Sequence, residues 1–472
     1  MTLSPHPSTA NAAVEQVISS LKTLLGDRMS TAQAIRDQHA RGEGIATRLA
    51  PDAVVWPTDK HEVCAVLRCC HELSVPVIAF GAGSSLEGHV SAPFGGICMD
   101  LSRMDAVLSV RVEDADCVVQ PGVLRESLNA HLKDTGLFFP VDPGANASIG
   151  GMVSTRASGT TTIRYGSMVH NVMALEVALA DGRLVRLGSR ARKSSAGLDL
   201  VHLMIGAEGT LGIITEITLR LHPQPSHVSA ASCAFPSLRQ AVAAVNELSL
   251  CGVPVARIEF LDEHQVRAVN VHSNLGLAEH PTLFLEFHGT ESGVREQAEQ
   301  AQGVARDHGC LGFEWATRPE DRSRLWRARH LSYFAALALR PGCHSVVADV
   351  CVPISALAHC VELTREDIDR EGLIAPILGH VGDGNFHVLF MPMPDAPAEH
   401  DAVDRVYSAM VARAHEAGGT CTGEHGIGLG KRGKLLDECG PDVIGLMRAI
   451  KQAWDPKSIL NPGKIFPVQS LN

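Results

Sequence analysis

Four things are missing from this sequence, and each absence closes off a class of function. There is no dense run of Lys or Arg: 41 basic residues face 52 acidic ones, for a net charge of -11. A chain so balanced has no basic footprint for a phosphate backbone, which excludes nucleic acid as the main partner and obliges any anionic substrate to find local cations. No stretch is long and apolar enough to span a bilayer. Residues 1–30 hold no uninterrupted apolar segment, being broken by Glu15 and Asp27, so no secretory leader is expected. The 13 cysteines form no CxxC pair and no regular framework, and Cys64, Cys98 and Cys351 fall inside apolar patterns. They read as reduced core thiols in a reducing compartment. The expected location is cytoplasmic, with room for peripheral contact with the inner membrane.

What remains is a globular composition, 45% hydrophobic and 20% charged over 472 residues, too long for one ordinary core. Two domains are the default. Residues 12–26 have helical periodicity stopped by Gly26. A short strand at Val54–Trp56 follows, with Pro57 and Thr58 as cap signals, then an amphipathic helix over 59–73 and an apolar strand over 75–80.

That strand opens onto G-A-G-S-S-L-E-G at 81–88. Successive small residues let backbone N–H groups approach a diphosphate, although the spacing is not that of a dinucleotide fingerprint, and alone it reads as a tight turn. A second small-residue stretch, V-D-P-G-A-N-A-S-I-G-G-M-V-S-T-R-A-S-G, fills 141–159, and a third, I-G-A-E-G-T-L-G-I-I-T, fills 205–215. Three such segments suit a wall against a large flat ligand better than three ordinary turns.

Further on, G-H-V-G-D-G-N-F-H at 379–387 sets two histidines at the ends of a glycine-rich turn between strand-like runs. In a hairpin His380 and His387 would face each other with Cβ atoms roughly 5 Å apart, whereas a helix would separate them by about 10 Å. In C-T-G-E-H-G-I-G-L-G-K at 421–431, Glu424 and His425 stand side by side. Two imidazoles and a carboxylate with open positions suit a catalytic divalent ion, provided the two loops meet. Otherwise these are ordinary surface or core residues.

These blocks, with F-G-A-G-S-S-L-E-G and the closing I-L-N-P-G-K-I at 459–465, occur in this order in a family the chain resembles from about residue 50 onward. It is that of the flavin-linked D-lactate dehydrogenases, with the glycolate oxidase flavin subunit and D-2-hydroxyglutarate dehydrogenase, within the vanillyl-alcohol oxidase superfamily. The resemblance implies an α+β fold: a helical segment at 1–48, a two-subdomain FAD-binding domain at 49–225, a substrate domain at 226–430 with an antiparallel sheet covered by helices, and a tail at 431–472 returning to the FAD domain. It implies that FAD contacts Phe80, Gly81, Ala82, Gly83, Ser84, Ser85 and Gly88; Pro143, Gly144, Ser148, Ile149, Gly150, Gly151, Ser154, Thr155, Ala157, Gly159 and Tyr165; and Glu208, Gly209, Gly212, Ile213 and Asn461. Residues 80–88 offer no histidine or cysteine for a tether, so the FAD is expected to be noncovalent. Arg156 stands where the family usually has asparagine, which would set a cation beside the flavin.

In the same way Arg329, closing L-W-R-A-R, becomes the anchor of a substrate carboxylate. His380, His387 and Glu424 become ligands of a divalent metal (Zn, Mn or Fe) on the substrate hydroxyl, and His425 the base. The implied substrate is a small 2-hydroxy acid and the implied acceptor a cytochrome, a quinone or an electron-transfer flavoprotein. A homodimer is compatible with the family. Val347 occupies the place of a lysine that binds the distal carboxylate in hydroxyglutarate relatives, which favours D-lactate or a longer apolar acid. The alternatives are a glycolate oxidase flavin subunit that needs partner chains, a D-2-hydroxyglutarate dehydrogenase, and a flavin-free metallohydrolase, which would leave the glycine-rich segments without purpose.

Overall fold

A computed structural model describes residues 8–44, 49–316 and 318–466. The chain divides into two compact units, one comprising 1–157, 167–223 and 424–472, the other 158–166 and 224–423.

The first unit contains two larger sheets. The smaller is four-stranded, in the order Met29–Ser30, Ala53–Val55, Ile97–Asp100, Val77–Phe80. Its last three strands are parallel, and Leu460 bridges to Val77 at its edge. The helix Lys60–Glu72 packs beside it through Val63, Val66, Leu67 and Cys70. This helix is started by Asp59, not by Pro57 or Thr58: the Asp59 carboxylate accepts from the His61 and Glu62 N–H groups at 2.8 and 3.0 Å. Such a cap contributes about 1 kcal/mol. Helix Ser8–Leu25 adds Val17, Leu21 and Leu25 to the same core. The second sheet is antiparallel, in the order Val107–Arg111, Asp116–Val119, Ile213–Arg220, Val172–Ala178, Leu184–Gly188. Val119, Val177, Ile217 and Leu219 belong to its core, against which the short helix Ile149–Ser154 rests.

The second unit is a seven-stranded antiparallel sheet ordered Gly312–Ala316, His227–Ala234, Thr282–Gly289, Val255–Leu261, Ile377–Gly379, Asn385–Phe390, Val346–Cys351. Helices including Leu238–Leu250, Glu291–Asp307, Pro319–His330 and Ile354–Arg370 accompany it. The glycine-rich turn does form a hairpin, but its register differs from the expected one. His387 pairs with Leu378, while His380 lies beyond the strand at the start of a 3-10 turn, Val381–Asp383. Glycines permit this close turn: a Cβ at Gly379 would come 2.4 Å from the Asn385 carbonyl oxygen, and Gly384 turns at φ +79°. The chain therefore leaves the ladder at Gly379 and His380 is not cross-strand from His387.

All 13 cysteines are free thiols. Cys98 is buried, and burial pushes its thiol well up, whereas Cys351 is only half-buried and Cys251 is exposed. No helix among the described residues is long and apolar enough to cross a membrane.

Candidate active site

In the first unit the three small-residue segments do different jobs. Strand Val77–Phe80 runs into Gly81, where a Cβ would stand 2.2 Å from Ser148 Oγ. Ser148 in turn caps helix Ile149–Ser154 by accepting from the Gly151 N–H at 3.3 Å. Gly83 turns at φ +70°, and Gly144 at φ +81° faces open space. The Ser85 hydroxyl is buried and has no hydrogen-bond partner among the described residues. Backbone without bulk, plus one buried hydroxyl in want of a partner, fits a diphosphate and so fits FAD.

Several residues expected to line the flavin are small or buried for another reason. A Cβ at Gly150 would meet Pro121 at 2.6 Å, and one at Gly212 would meet Val177 at 2.3 Å, so both are dictated by packing. Ile149, Ala157 and Ile213 point into the cores, and the Ser154 and Thr155 hydroxyls donate back to the Gly150 and Gly151 carbonyls. What these residues can offer a ligand is backbone. The Phe80 ring packs on His39, with centroids 4.6 Å apart. Arg156 is exposed, at φ +56°, and its guanidinium donates to the Ile205 carbonyl at 3.2 Å. Gly159 and Tyr165 belong to the second unit, where the Tyr165 hydroxyl bonds His288 Nδ1 at 2.7 Å.

Glu208 reaches across to another segment of the first unit. Its carboxylate turns to the segment after His425, accepting from the Ile427 and Gly428 N–H groups at 2.7 and 2.8 Å. Asn461 donates to the Glu208 carbonyl at 2.7 Å, and Lys464 donates to Asn461 Oδ1 at 3.0 Å.

In the second unit one face of the sheet is charged although buried. Registers place Arg257, Glu259 and Leu261 on the same side as Glu286, Leu378, His387 and Asp349. Glu259, fully buried, joins two of the expected site residues. Arg329 donates to its Oε2 through Nε at 2.8 Å and approaches through Nη2 at 2.6 Å, while His380 Nδ1 donates to its Oε1 at 2.6 Å. Burial alone would raise the Glu259 carboxyl, but Arg329 and His380 overturn that and hold it below its usual range. Asp349, also fully buried, is the carboxylate nearest His387, whose Nδ1 lies 3.2 Å from Oδ1. The His380 and His387 rings meet edge-on with centroids 5.3 Å apart.

With Nδ1 of His380 bonded to Glu259 and Nδ1 of His387 close to Asp349, Nε2 is the atom by which either ring would hold a metal. Carboxylate-backed imidazoles are the usual outer support of metal ligands, so the donor set fits a divalent ion. Asp349 also accepts from the Thr422 hydroxyl and the Gly423 N–H, each at 2.8 Å. Glu424 and His425 follow directly in the chain and open the last segment of the first unit.

Sequence reasoning missed Glu259 and Asp349 as functional residues. A signal was present: R-I-E-F-L alternates charge with bulk inside a strand, and a buried strand does not carry charge on its inner face without partners. Val347 lies on the face of Asp349 and packs against the apolar cluster of Ala336, Leu378, Leu389 and Met391.

A glycine-built cradle in one unit and a carboxylate-backed histidine pair in the other describe a flavoprotein dehydrogenase or oxidase, and the comparisons with known proteins agree. Residues 51–188 match the family described as FAD binding domain, and residues 224–465 match FAD linked oxidases, C-terminal domain. The fold is shared with p-cresol methylhydroxylase, with a TM-score of 0.80 at 19% identity covering 98% of both chains. A protein of Danio rerio named probable D-lactate dehydrogenase, mitochondrial, is 48% identical over 98% of this chain and 94% of its own length. One of Arabidopsis thaliana, named D-lactate dehydrogenase [cytochrome], mitochondrial, is 43% identical over 96% of this chain and 80% of its own. The chain belongs to the FAD-linked oxidases, in the family of the flavin-linked D-lactate dehydrogenases.

Proposed function

We propose that this protein oxidises a D-2-hydroxy acid, most simply D-lactate, to the 2-oxo acid with noncovalent FAD and a divalent metal, and passes the electrons to a cytochrome, a quinone or an electron-transfer flavoprotein. The observation that carries the reading is the Glu259 bridge, which ties the cation suited to a carboxylate, Arg329, to the suited metal ligand, His380, in one buried network. FAD, when bound, accepts the hydride, and the metal lowers the proton affinity of the substrate hydroxyl.

The chain's residues do the rest. Arg329, held by Glu259 through Nε and Nη2, receives the substrate carboxylate on its remaining N–H groups. Glu259 and Asp349 fix the ring orientation of His380 and His387, and Glu424 completes the ligand set. His425 takes the hydroxyl proton on a ring nitrogen. Val347 and its apolar neighbours supply no cation for a second carboxylate, which supports a monocarboxylate over hydroxyglutarate.

Steady-state rates with a dye acceptor over D- and L-2-hydroxy acids test the reading. D-lactate or another D-monocarboxylate should lead, and metal chelation should abolish the rate. Equal or faster turnover of L-acids, or full activity after chelation, would sink it.

A further inference from the structure

Resting on the functional reading above, we propose that Glu208 is a positioning residue for the Glu424–His425 dipeptide: its buried carboxylate clamps the turn that follows the proposed base. The geometry is specific. Both oxygens are used, one for the Ile427 N–H at 2.7 Å and one for the Gly428 N–H at 2.8 Å, and His89 Nε2 stands 3.3 Å from Oε2. The turn is shaped around this carboxylate. Gly426 turns at φ +76°, and a Cβ there would come 2.8 Å from Glu208 Oε1. Gly428 turns at φ +50°, with its would-be Cβ 2.1 Å from the Glu87 carbonyl oxygen. Thus Gly426 leaves room for the Glu208 carboxylate, and Gly428 for the Glu87 backbone carbonyl.

A second acid secures the far end. The Glu87 carbonyl accepts from the Leu429 N–H at 2.8 Å, and Lys431 Nζ lies 3.2 Å from the Glu87 carboxylate. Glu208 itself sits at φ +52°, a backbone setting uncommon outside glycine, and Asn461 holds its carbonyl. Burial alone would raise the Glu208 carboxyl, but His89 and the two backbone donors keep it below its usual range. A strained, buried, charged residue that spends both oxygens on one turn is built to fix that turn. The turn lies two residues past His425. Displacing a reacting group by about 1 Å can cost about 10²-fold in rate.

Glu208→Gln separates this role from flavin binding. The amide can accept one N–H but sets its own NH2 against the other. The holoprotein variant should bind FAD at parent stoichiometry, while hydrogen–deuterium exchange of the 424–431 segment accelerates and other segments are unchanged. Single-turnover flavin reduction by D-lactate should fall about 10²-fold with little change in its half-saturating concentration. Glu208→Asp, which keeps both acceptor oxygens, should recover part of the exchange protection and part of the rate. Parent-like exchange of 424–431 in Glu208→Gln overturns the proposal, and so does loss of FAD without faster exchange, which would return Glu208 to the flavin site. If no 2-hydroxy acid reduces the parent's flavin, the functional reading fails, yet the exchange measurement still decides on the clamp.

Discussion

The flavin cradle of the first unit and the charged sheet face of the second are built in opposite ways. The cradle removes side chains: Gly81, Gly83 and Gly144 expose backbone, and Ser85 adds one hydroxyl. The sheet face imports them, with Arg257, Glu259, Glu286, Arg329, Asp349, His380 and His387 all buried or nearly so. A dinucleotide is long enough to be held by many weak backbone contacts. A small 2-hydroxy acid has few atoms, so its recognition must come from a few strong charges in a dry setting, each needing a partner to be there at all. Deleting side chains should therefore damage the second region, and adding atoms should damage the first.

The largest effects are expected at the proposed reacting groups. His380→Ala, His387→Ala and Glu424→Ala should each lose bound metal together with activity, because three ligands with open positions tolerate no vacancy. His425→Ala should keep metal and FAD while flavin reduction falls about 10²- to 10⁴-fold, as for loss of a general base. Metal analysis beside single-turnover bleaching reads both. A metal-free His425→Ala protein would make His425 a ligand and send the search for the base elsewhere.

Glu259→Gln comes next and tests whether the charged face works as one network. It should weaken metal binding about 10- to 100-fold and raise the KM for the acid, because one carboxylate orients both His380 and Arg329. FAD content should not change. Arg329→Ala should show the converse coupling, losing carboxylate binding and also disturbing metal affinity, since it leaves the Glu259 charge with one partner fewer. Independent effects of the two substitutions, additive in a double mutant, would show that the bridge is only structural.

Sequence legibility followed the same division. The three glycine-rich segments and the histidine turn could be read because their information is local. Glycine marks where backbone must turn or approach, whatever lies opposite. The hairpin was legible but its register was not, since Gly379 packs against the Asn385 carbonyl across the turn, a contact between residues that the local pattern does not name. Glu259 and Asp349 stayed hidden for a different reason: Glu259 meets its histidine 121 residues away, and nothing in R-I-E-F-L names that partner. Gly150 and Gly212 were read as flavin-facing because smallness looks the same whether a ligand or a neighbouring residue demands it. Glu208 was read as lining the flavin, and its carboxylate accepts from the Ile427 and Gly428 N–H groups some 220 residues on, a pairing that its local segment does not announce.

Gly81→Ala sharpens the cradle side of the comparison with a smaller effect. The new Cβ would stand 2.2 Å from Ser148 Oγ, so Ser148 must rotate and give up its bond to the Gly151 N–H. Loss of such a cap costs about 1 kcal/mol, which would appear as roughly fivefold weaker FAD binding if the cap is formed with the flavin in place. Titration of apoprotein with FAD checks it, and metal content should be unaffected. Unchanged FAD affinity would mean that Ser148 and Gly81 do not act on the cofactor.

The smallest effect is expected at Arg156, and its sign distinguishes the backbone from the side chain. Arg156 sits at φ +56°, where a side chain strains the backbone and, among non-glycine residues, asparagine strains it least. Arg156 is exposed and its guanidinium is spent on the Ile205 carbonyl, a contact that water can replace cheaply. Arg156→Asn should therefore raise stability, by about 0.5 to 1 kcal/mol, because relief of left-handed strain outweighs a solvated hydrogen bond. Thermal denaturation of the FAD-loaded protein measures it, with the flavin's reduction potential followed in parallel. A higher melting temperature with an unchanged potential would make Arg156 a strained backbone position with no say over the flavin. A lower potential in the variant would show instead that the cation is felt at the isoalloxazine, as the sequence alone suggested.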